Sequence, residues 1–157
     1  MTDIDDLVQR VATRAASDSK DLPEPVDEAL IAEAEGQLGI ALHPLLARLY
    51  REVADGGFGP DYRLLPLLGS GSSVVGEYLT RREASVGVEH PEWPEGVVPI
   101  LTWGCAMYAG VDCLSEDGQV LPCYHVRSDP GQLPPGARRI ESRRPQHYSP
   151  AHRAPLP

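Results

Sequence analysis

A stretch in the second half of the chain, residues 97–126, constrains the fold more than any other. It consists of an apolar run VVPILTWG, an alternating run CAMYAGVDCL, the polar residues SEDG and a second alternating run QVLPCYHV. Glu116-Asp117-Gly118 supply a turn, because Asp and Gly tolerate the positive φ of a tight hairpin. The pattern therefore predicts a β-hairpin with a third strand leading in, and other elements must cover its apolar face.

Two short amphipathic helices are predicted upstream of this hairpin. The first carries Leu30, Ala34 and Leu38 at i, i+4 and i+8, which places them on one face. The second begins at Pro44, a favoured first helical residue, and ends at Asp55-Gly56-Gly57. Together they predict a compact helical pair with one apolar side.

Three further elements are predicted along the chain. Residues 4–16 form a short helix, placed on a loosely attached N-terminal arm. Residues 62–68 form a short strand, which Pro66 places near a sheet edge because proline cannot donate to a ladder. Residues 74–85 form a helix that leads, through a loop, into the sheet.

Charge and proline content divide the chain into unlike parts. Residues 1–35 carry 10 acids and 3 bases, residues 36–126 carry 11 and 5, and residues 127–157 carry 2 and 6, within a net charge of −9. The last part also holds 7 of the 16 prolines, and it cannot bury enough apolar surface to offset chain entropy. We therefore predict a loosely ordered arm over residues 1–25, an α+β domain over residues 26–126 and a disordered Pro/Arg-rich tail beyond.

Several classes of function are excluded by composition. An acidic body repels nucleic acid and favours basic protein partners. The sequence contains no run of about 18 apolar residues, so no membrane span is predicted. The acidic start MTDIDDLVQR lacks the apolar region of a secretory signal. Three cysteines without a CxxC pair, Cys105, Cys113 and Cys123, favour buried reduced thiols. These observations predict a cytoplasmic protein.

The cysteines and their neighbours do not form a recognisable catalytic or metal site. Cys123 and His125 could join the other cysteines around zinc, but zinc sites normally use closely spaced pairs on loops. A nucleophile set of Cys105 or Cys123 with His125 and Asp112 lacks an oxyanion turn. Asp112 is better placed to accept backbone hydrogen bonds and fix the turn. We predict no cofactor, no metal and no enzyme activity; a small hydrolase using Cys105 or Cys123 is the least favoured hypothesis.

Several short motifs occur in one order along the chain. They are Ile31…Glu35…Leu38-Gly39…Leu42-His43-Pro44, Asp55-Gly56-Gly57-Phe58-Gly59-Pro60, Leu64-Leu65-Pro66-Leu67, Trp93-Pro94…Val98-Pro99-Ile100…Trp103-Gly104-Cys105 and Val111-Asp112…Asp117-Gly118…Val120. This ordered set resembles the SUKH superfamily, in its Smi/Knr cell-wall-regulator-like branch. The positions that match the family signature are Glu35, Gly39, Pro44, Gly56, Gly104, Asp112 and Gly118.

The resemblance covers residues 26–126 and implies both a fold and a role. The implied fold is α+β, with a mainly antiparallel sheet flanked by short helices. The implied role is that of an immunity protein, which neutralises a cognate toxin by binding it. Two features depart from the family: His43 stands where an apolar residue is usual, and residues 138–157 cannot form the helix with which members usually end.

Two hypotheses about function follow, and both act through protein contacts. The first is a bacterial immunity protein that occludes a toxin, with a basic toxin domain as its expected partner. The alternative is a regulatory scaffold in cell-envelope or stress signalling. The candidate contact residues are solvated acids at turns and element ends: Asp55, Asp61, Glu77, Glu116 and Asp117.

Overall fold

The computed structural model describes residues 3–59, 63–87, 93–105 and 107–124. They form four helices and a three-stranded antiparallel sheet, which confirms the predicted α+β class. The helices are α1 (Asp3–Asp18), α2 (Glu28–Leu38), α3 (Pro44–Glu52) and α4 (Val74–Ala84), and the strands are β1 (Val97–Gly104), β2 (Met107–Asp112) and β3 (Val120–Tyr124). The predicted tail, residues 127–157, lies outside the described residues. No helix in the described ranges is long and apolar enough to cross a membrane.

The sheet is a meander in the order β1-β2-β3, which confirms the predicted hairpin and its entering strand. Val111 of β2 pairs with Val98 on one side and with Val120 on the other. The register of β1 against β2 shifts between Pro99 and Leu101. Proline has no N–H to give to a ladder, and irregularities of this kind are common beside such residues.

Helices α2 and α3 begin and end on local signals that the sequence carries. The side chain of Asp27 accepts a hydrogen bond from the N–H of Leu30 and caps α2, and Gly39 ends this helix in the left-handed conformation. Asp27 therefore immediately precedes the first residue of the helix, Glu28. Helix α3 starts at Pro44, as predicted.

The main apolar core joins α2, α3, α4 and the sheet. Its members with no exposed surface include Ala34, Tyr50, Leu67 and Val74. Burial raises the pKa of Tyr50, so its hydroxyl stays protonated and donates to the carbonyl of Leu65 at 2.7 Å. A buried polar group is thereby satisfied, and the loop after α3 is tied to that helix.

A smaller second core attaches helix α1 to α3. It contains Ala15, Ala54 and Phe58. Beside it, Arg48 of α3 bonds Asp5 of α1 at 2.7 Å. The predicted N-terminal helix is thus confirmed, and it runs from residue 3 to residue 18. The division between a loosely attached arm over residues 1–25 and a domain over residues 26–126 stays a prediction. Weakening the contacts of α1 with α3 would test it.

Two expectations were wrong. Residues 63–68 form no strand, because Pro66 has no N–H and the N–H of Leu67 goes to Asp55 Oδ1 at 2.7 Å. A single backbone hydrogen bond, from Leu65 N to Ile100 O, joins the described part of this segment to β1. Cys105 is exposed rather than buried, since it lies in the β1–β2 turn with a positive φ of 50°.

Trp93 anchors the loop that enters the sheet. It is buried, it donates from Nε1 to the carbonyl of Val97 at 2.7 Å, and it packs edge-on against Tyr108 with ring centroids 5.7 Å apart. Trp93 is thus part of the main core, whereas Trp103 is half-buried.

Candidate partner-binding site

The turn between β2 and β3, residues 113–119, is closed by its own hydrogen bonds. Asp112 Oδ1 accepts from the N–H groups of Leu114 and Ser115 at 3.0 and 3.2 Å. Ser115 Oγ donates to the carbonyl of Asp112 at 3.0 Å, and Gly118 N donates to the carbonyl of Ser115 at 3.3 Å. The carboxylate of Asp112 thus organises the turn, which is the role expected of it from the sequence.

His43 joins this turn to helix α3. It precedes the helix, and its Nδ1 accepts the N–H of Leu45 at 3.3 Å, so Nδ1 is the unprotonated nitrogen. The other ring nitrogen, Nε2, therefore carries the proton and donates to the carbonyl of Glu116 at 3.1 Å. The imidazole of His43 therefore bonds both the start of α3 and the middle of the turn.

Gly118 fits under the ring of His43, where no side chain has room. Its φ is +55°, and a Cβ there would lie 2.8 Å from the ring atoms of His43. From α2, Glu35 Oε1 accepts the N–H of Leu42 at 2.8 Å, which fixes the link leading to His43. We call this region the turn junction, and define it as Glu35, residues 42–44 and residues 112–119.

Four of the seven signature positions therefore meet at one place: Glu35, Pro44, Asp112 and Gly118. Gly39 ends α2 just before this region. Gly56 lies elsewhere, where a Cβ would come within 2.6 Å of the carbonyl of Leu65. Gly104 is the last residue of β1. Sequence order alone could not reveal this grouping, since the residues come from three separate segments.

Cys113 lies inside the turn junction and is half-buried. Burial raises the pKa of its thiol, and a hydrogen bond with the backbone of His43 opposes this effect. The negative charges of Asp112 and Glu35 raise the pKa further. The thiol is therefore held in its protonated form, which is a poor nucleophile and a poor metal ligand.

The strand register separates the residues of the hypothetical nucleophile set. Gly104, which precedes Cys105, pairs with Met107 at one end of the hairpin, whereas Asp112 pairs with Val97 at the other. His125 lies outside the described residues. Among the residues that the structure does describe, no three His, Cys, Asp or Glu side chains are grouped to hold a metal ion.

The turn presents one apolar side chain beside two carboxylates. Leu114 is 65% exposed, although leucine is normally a core residue. Glu116 and Asp117 are exposed next to it. We name Leu114, Glu116 and Asp117 the acidic tip. The sequence had pointed to the two acids, but it placed Leu114 in a strand-like apolar run and gave no signal that it would face solvent.

Two other acids predicted to contact a partner, Asp55 and Glu77, accept hydrogen bonds within the protein. Asp55 accepts the N–H of Leu67, as described above. Glu77 accepts from Ser72 Oγ at 2.7 Å and from Tyr108 OH at 2.9 Å, and Arg81 lies over the ring of Tyr108 at 4.4 Å. These acids hold a loop and helix α4 in place. Asp61 is outside the described residues.

The fold is thus an α+β domain with an antiparallel meander. A hydrogen bond from His43 joins the start of helix α3 to the turn between β2 and β3. Residues 25–140 match the SMI1 / KNR4 family (SUKH-1), more than half of the 157-residue chain. The chain belongs to this family, and the resemblance noted in the sequence is confirmed. The match includes α2–α4 and the sheet but not α1. No curated protein matches the chain.

Proposed function

We propose that this protein is a bacterial immunity protein that neutralises a cognate toxin by binding and occluding it. Membership of the SUKH-1 family supports the proposal, because SUKH domains are commonly immunity proteins in polymorphic toxin systems. Occlusion needs a surface rather than a catalytic group, and members of the family are generally not enzymes. In this proposal the protein acts in the cytoplasm.

Family membership carries the proposed role, and within that role the acidic tip is the surface that we expect to bind the toxin. Its two carboxylates accelerate encounter with a basic partner, and the exposed leucine supplies an apolar anchor that a pocket can bury. The hydrogen bonds that Asp112 accepts and that His43 donates hold the tip in one conformation. A surface that is already ordered loses little conformational entropy when it binds.

The test is co-expression of the full chain with toxins encoded beside its gene. We expect one neighbour to inhibit growth alone, to be harmless with the chain and to co-purify with it. Replacing Glu116 and Asp117 by Lys is expected to weaken that complex at least about tenfold, or about 1.4 kcal/mol. The matched control replaces Glu33 and Glu83 by Lys, two exposed acids on α2 and α4 that make the same change in net charge.

The outcomes separate the proposals. Relief of toxicity by the control but not by the tip variant supports both the immunity role and the tip. Relief by both variants would leave the immunity role standing and remove the tip from the interface. Relief of no neighbour's toxicity, together with a stable complex with a non-toxin protein, would favour the regulatory scaffold instead.

A further inference from the structure

A groove opens between helix α1 and the loop that follows α3. Its volume is about 590 Å³, and its apolar lining is Leu7, Val11, Ala15 and Phe58. A second hollow of about 440 Å³ adjoins it and shares Ala15 and Phe58. We call the two together the α1 groove. Cavities of this size accept several side chains of a ligand or a peptide.

The rim of the α1 groove is basic, although the chain as a whole is acidic. Arg10 and Arg14 line it from α1, and Arg63 lines it from the loop. Asp18 is the one acid in the lining that the structure describes, and it pairs with Arg14 at 2.7 Å. Asp6, on α1 just outside the lining, pairs with Arg10 at 3.6 Å. Both pairs are exposed and therefore weak, so both arginines remain available to a ligand carboxylate. Within the described ranges Arg63 forms no ion pair.

We propose that the α1 groove binds the acidic tip of a second copy of this chain. Leu114 of one copy enters the apolar lining, and Glu116 and Asp117 reach the arginines on the rim. The two surfaces are opposite in charge, and each has an apolar part beside its charged groups. Residues 127–157, with 6 bases and 2 acids, carry the wrong charge to compete for this site.

The contact must form between copies, because the tip cannot reach the groove of its own chain. The tip is bonded to His43, immediately before α3, whereas Phe58 lies beyond the end of that helix. Helix α3, nine residues and about 13 Å long, lies between them along the chain, and no tip residue is among those that line the groove. Each copy therefore offers two different surfaces, so the assembly is head-to-tail and grows beyond a dimer unless it closes into a ring.

The proposal has a consequence for toxin binding, and that consequence rests on the function proposed above. If the tip binds the toxin, a copy cannot bind the toxin and a neighbouring groove at once. Binding of the toxin would then dissociate the assembly into single copies. The self-association itself concerns the isolated chain, so its failure and the failure of the immunity role are distinguishable.

The experiment is sedimentation velocity on the full chain between about 1 µM and about 1 mM, the range in which small interfaces associate. We expect the weight-average mass to rise at least about twofold over this range. Two charge-swapped proteins are compared with it. The tip variant carries Glu116→Arg and Asp117→Arg, and the groove variant carries Arg10→Glu and Arg14→Glu. All four residues are exposed, so circular dichroism should show an unchanged fold.

Each variant alone is expected to stay monomeric, because its tip and its groove then have the same sign of charge. An equimolar mixture is expected to associate again, since each tip now meets a groove of opposite sign. The control protein carries Glu33→Arg and Glu83→Arg and should associate like the wild type.

Three results would overturn the proposal. One is a wild type that stays monomeric at the highest concentration. A second is an assembly that the groove variant abolishes but the tip variant leaves intact, which would indicate pairing of α1 with α1. A third is a mixture of the two variants that remains monomeric.

Discussion

The two ends of helix α3 are attached to the rest of the molecule in different ways. At its start, His43 and the turn junction are joined by hydrogen bonds, and four signature residues lie there. Towards its end, helix α1 is attached through Ala15, Ala54 and Phe58 and through the ion pair between Arg48 and Asp5. Helix α1 also lies outside the residues that match the family.

This difference indicates that the acidic tip has a more strongly fixed conformation than the α1 groove. Directional hydrogen bonds fix the backbone of the acidic tip. Its geometry therefore depends on a few particular side chains, which other residues cannot readily replace. A small apolar cluster is non-directional and tolerates changes of similar volume. The tip can therefore retain its shape while the α1 groove varies, and this contrast can be tested.

The largest effect is expected at Phe58, which is 6% exposed in the second core. Phe58→Ala should lower the free energy of unfolding by about 3 kcal/mol, because a buried aromatic ring is lost and a cavity remains. Urea denaturation measures this loss. Hydrogen exchange should show faster exchange in α1 than in β1 and β2.

Leu7→Ala is the matched control for Phe58→Ala, since Leu7 lines the same groove but is 39% exposed. It should cost less than about 1 kcal/mol. Equal loss of protection in α1 and in the sheet would show that the two ends of α3 unfold together and do not differ in stability.

A smaller loss is expected at Gly118 in the turn junction. Gly118→Ala should cost about 2 kcal/mol, because the new Cβ meets the ring of His43 and the backbone has a positive φ. Gly39→Ala provides the comparison, since it has a φ of +72° with no atom within 4 Å of the added Cβ, and should cost about 1 kcal/mol. Thermal denaturation of both proteins measures the difference. Identical costs would mean that His43 yields readily and does not hold the turn.

Removal of the carboxylate that organises the turn is expected to cost about 1 to 2 kcal/mol. Asp112→Ala leaves the N–H groups of Leu114 and Ser115 without their partner. Asp112→Asn keeps an acceptor oxygen in the same place, so it should recover more than half of the loss. Urea denaturation of the two variants checks this order. An asparagine variant as unstable as the alanine variant would argue against the hydrogen bonds as the cause.

The smallest effect is expected from the ion pairs beside α1. The hydrogen bond from Arg48 holds the pKa of Glu52 below its ordinary value in the folded protein. Stability from this pair is therefore present above the pKa of an unfolded glutamate, about 4.3, and is lost as the pH falls through the lower folded pKa. Because Glu52 is exposed, the contribution should amount to tenths of a kcal/mol.

Comparison with Arg48→Gln isolates this contribution from that of the other acids. The difference in unfolding free energy between wild type and variant should shrink as the pH is lowered from about 7 to about 3. A difference that does not change with pH would show that Arg48 acts through packing of its alkyl chain rather than through its charge.

Local patterns in the sequence were sufficient for most of the secondary structure. Apolar spacing predicted the helices, and the Pro44 and Gly39 signals gave the start of one and the end of another. The alternation around Asp117-Gly118 gave the hairpin. The strand predicted over residues 62–68 was wrong because the apolar pattern carries no information about the hydrogen-bond acceptor of the Leu67 N–H. That partner, Asp55, lies 12 residues away.

What the sequence determined by itself is therefore the set of elements, the acidic charge and, through ordered motifs, the family. These properties depend on residues close in sequence or on composition. Only the tertiary structure decided which acids are free to meet a partner, that His43 would hold the turn, and that Leu114 would remain exposed. Hydrogen bonds and burial join residues far apart in the chain, and no local pattern carries information about such partners.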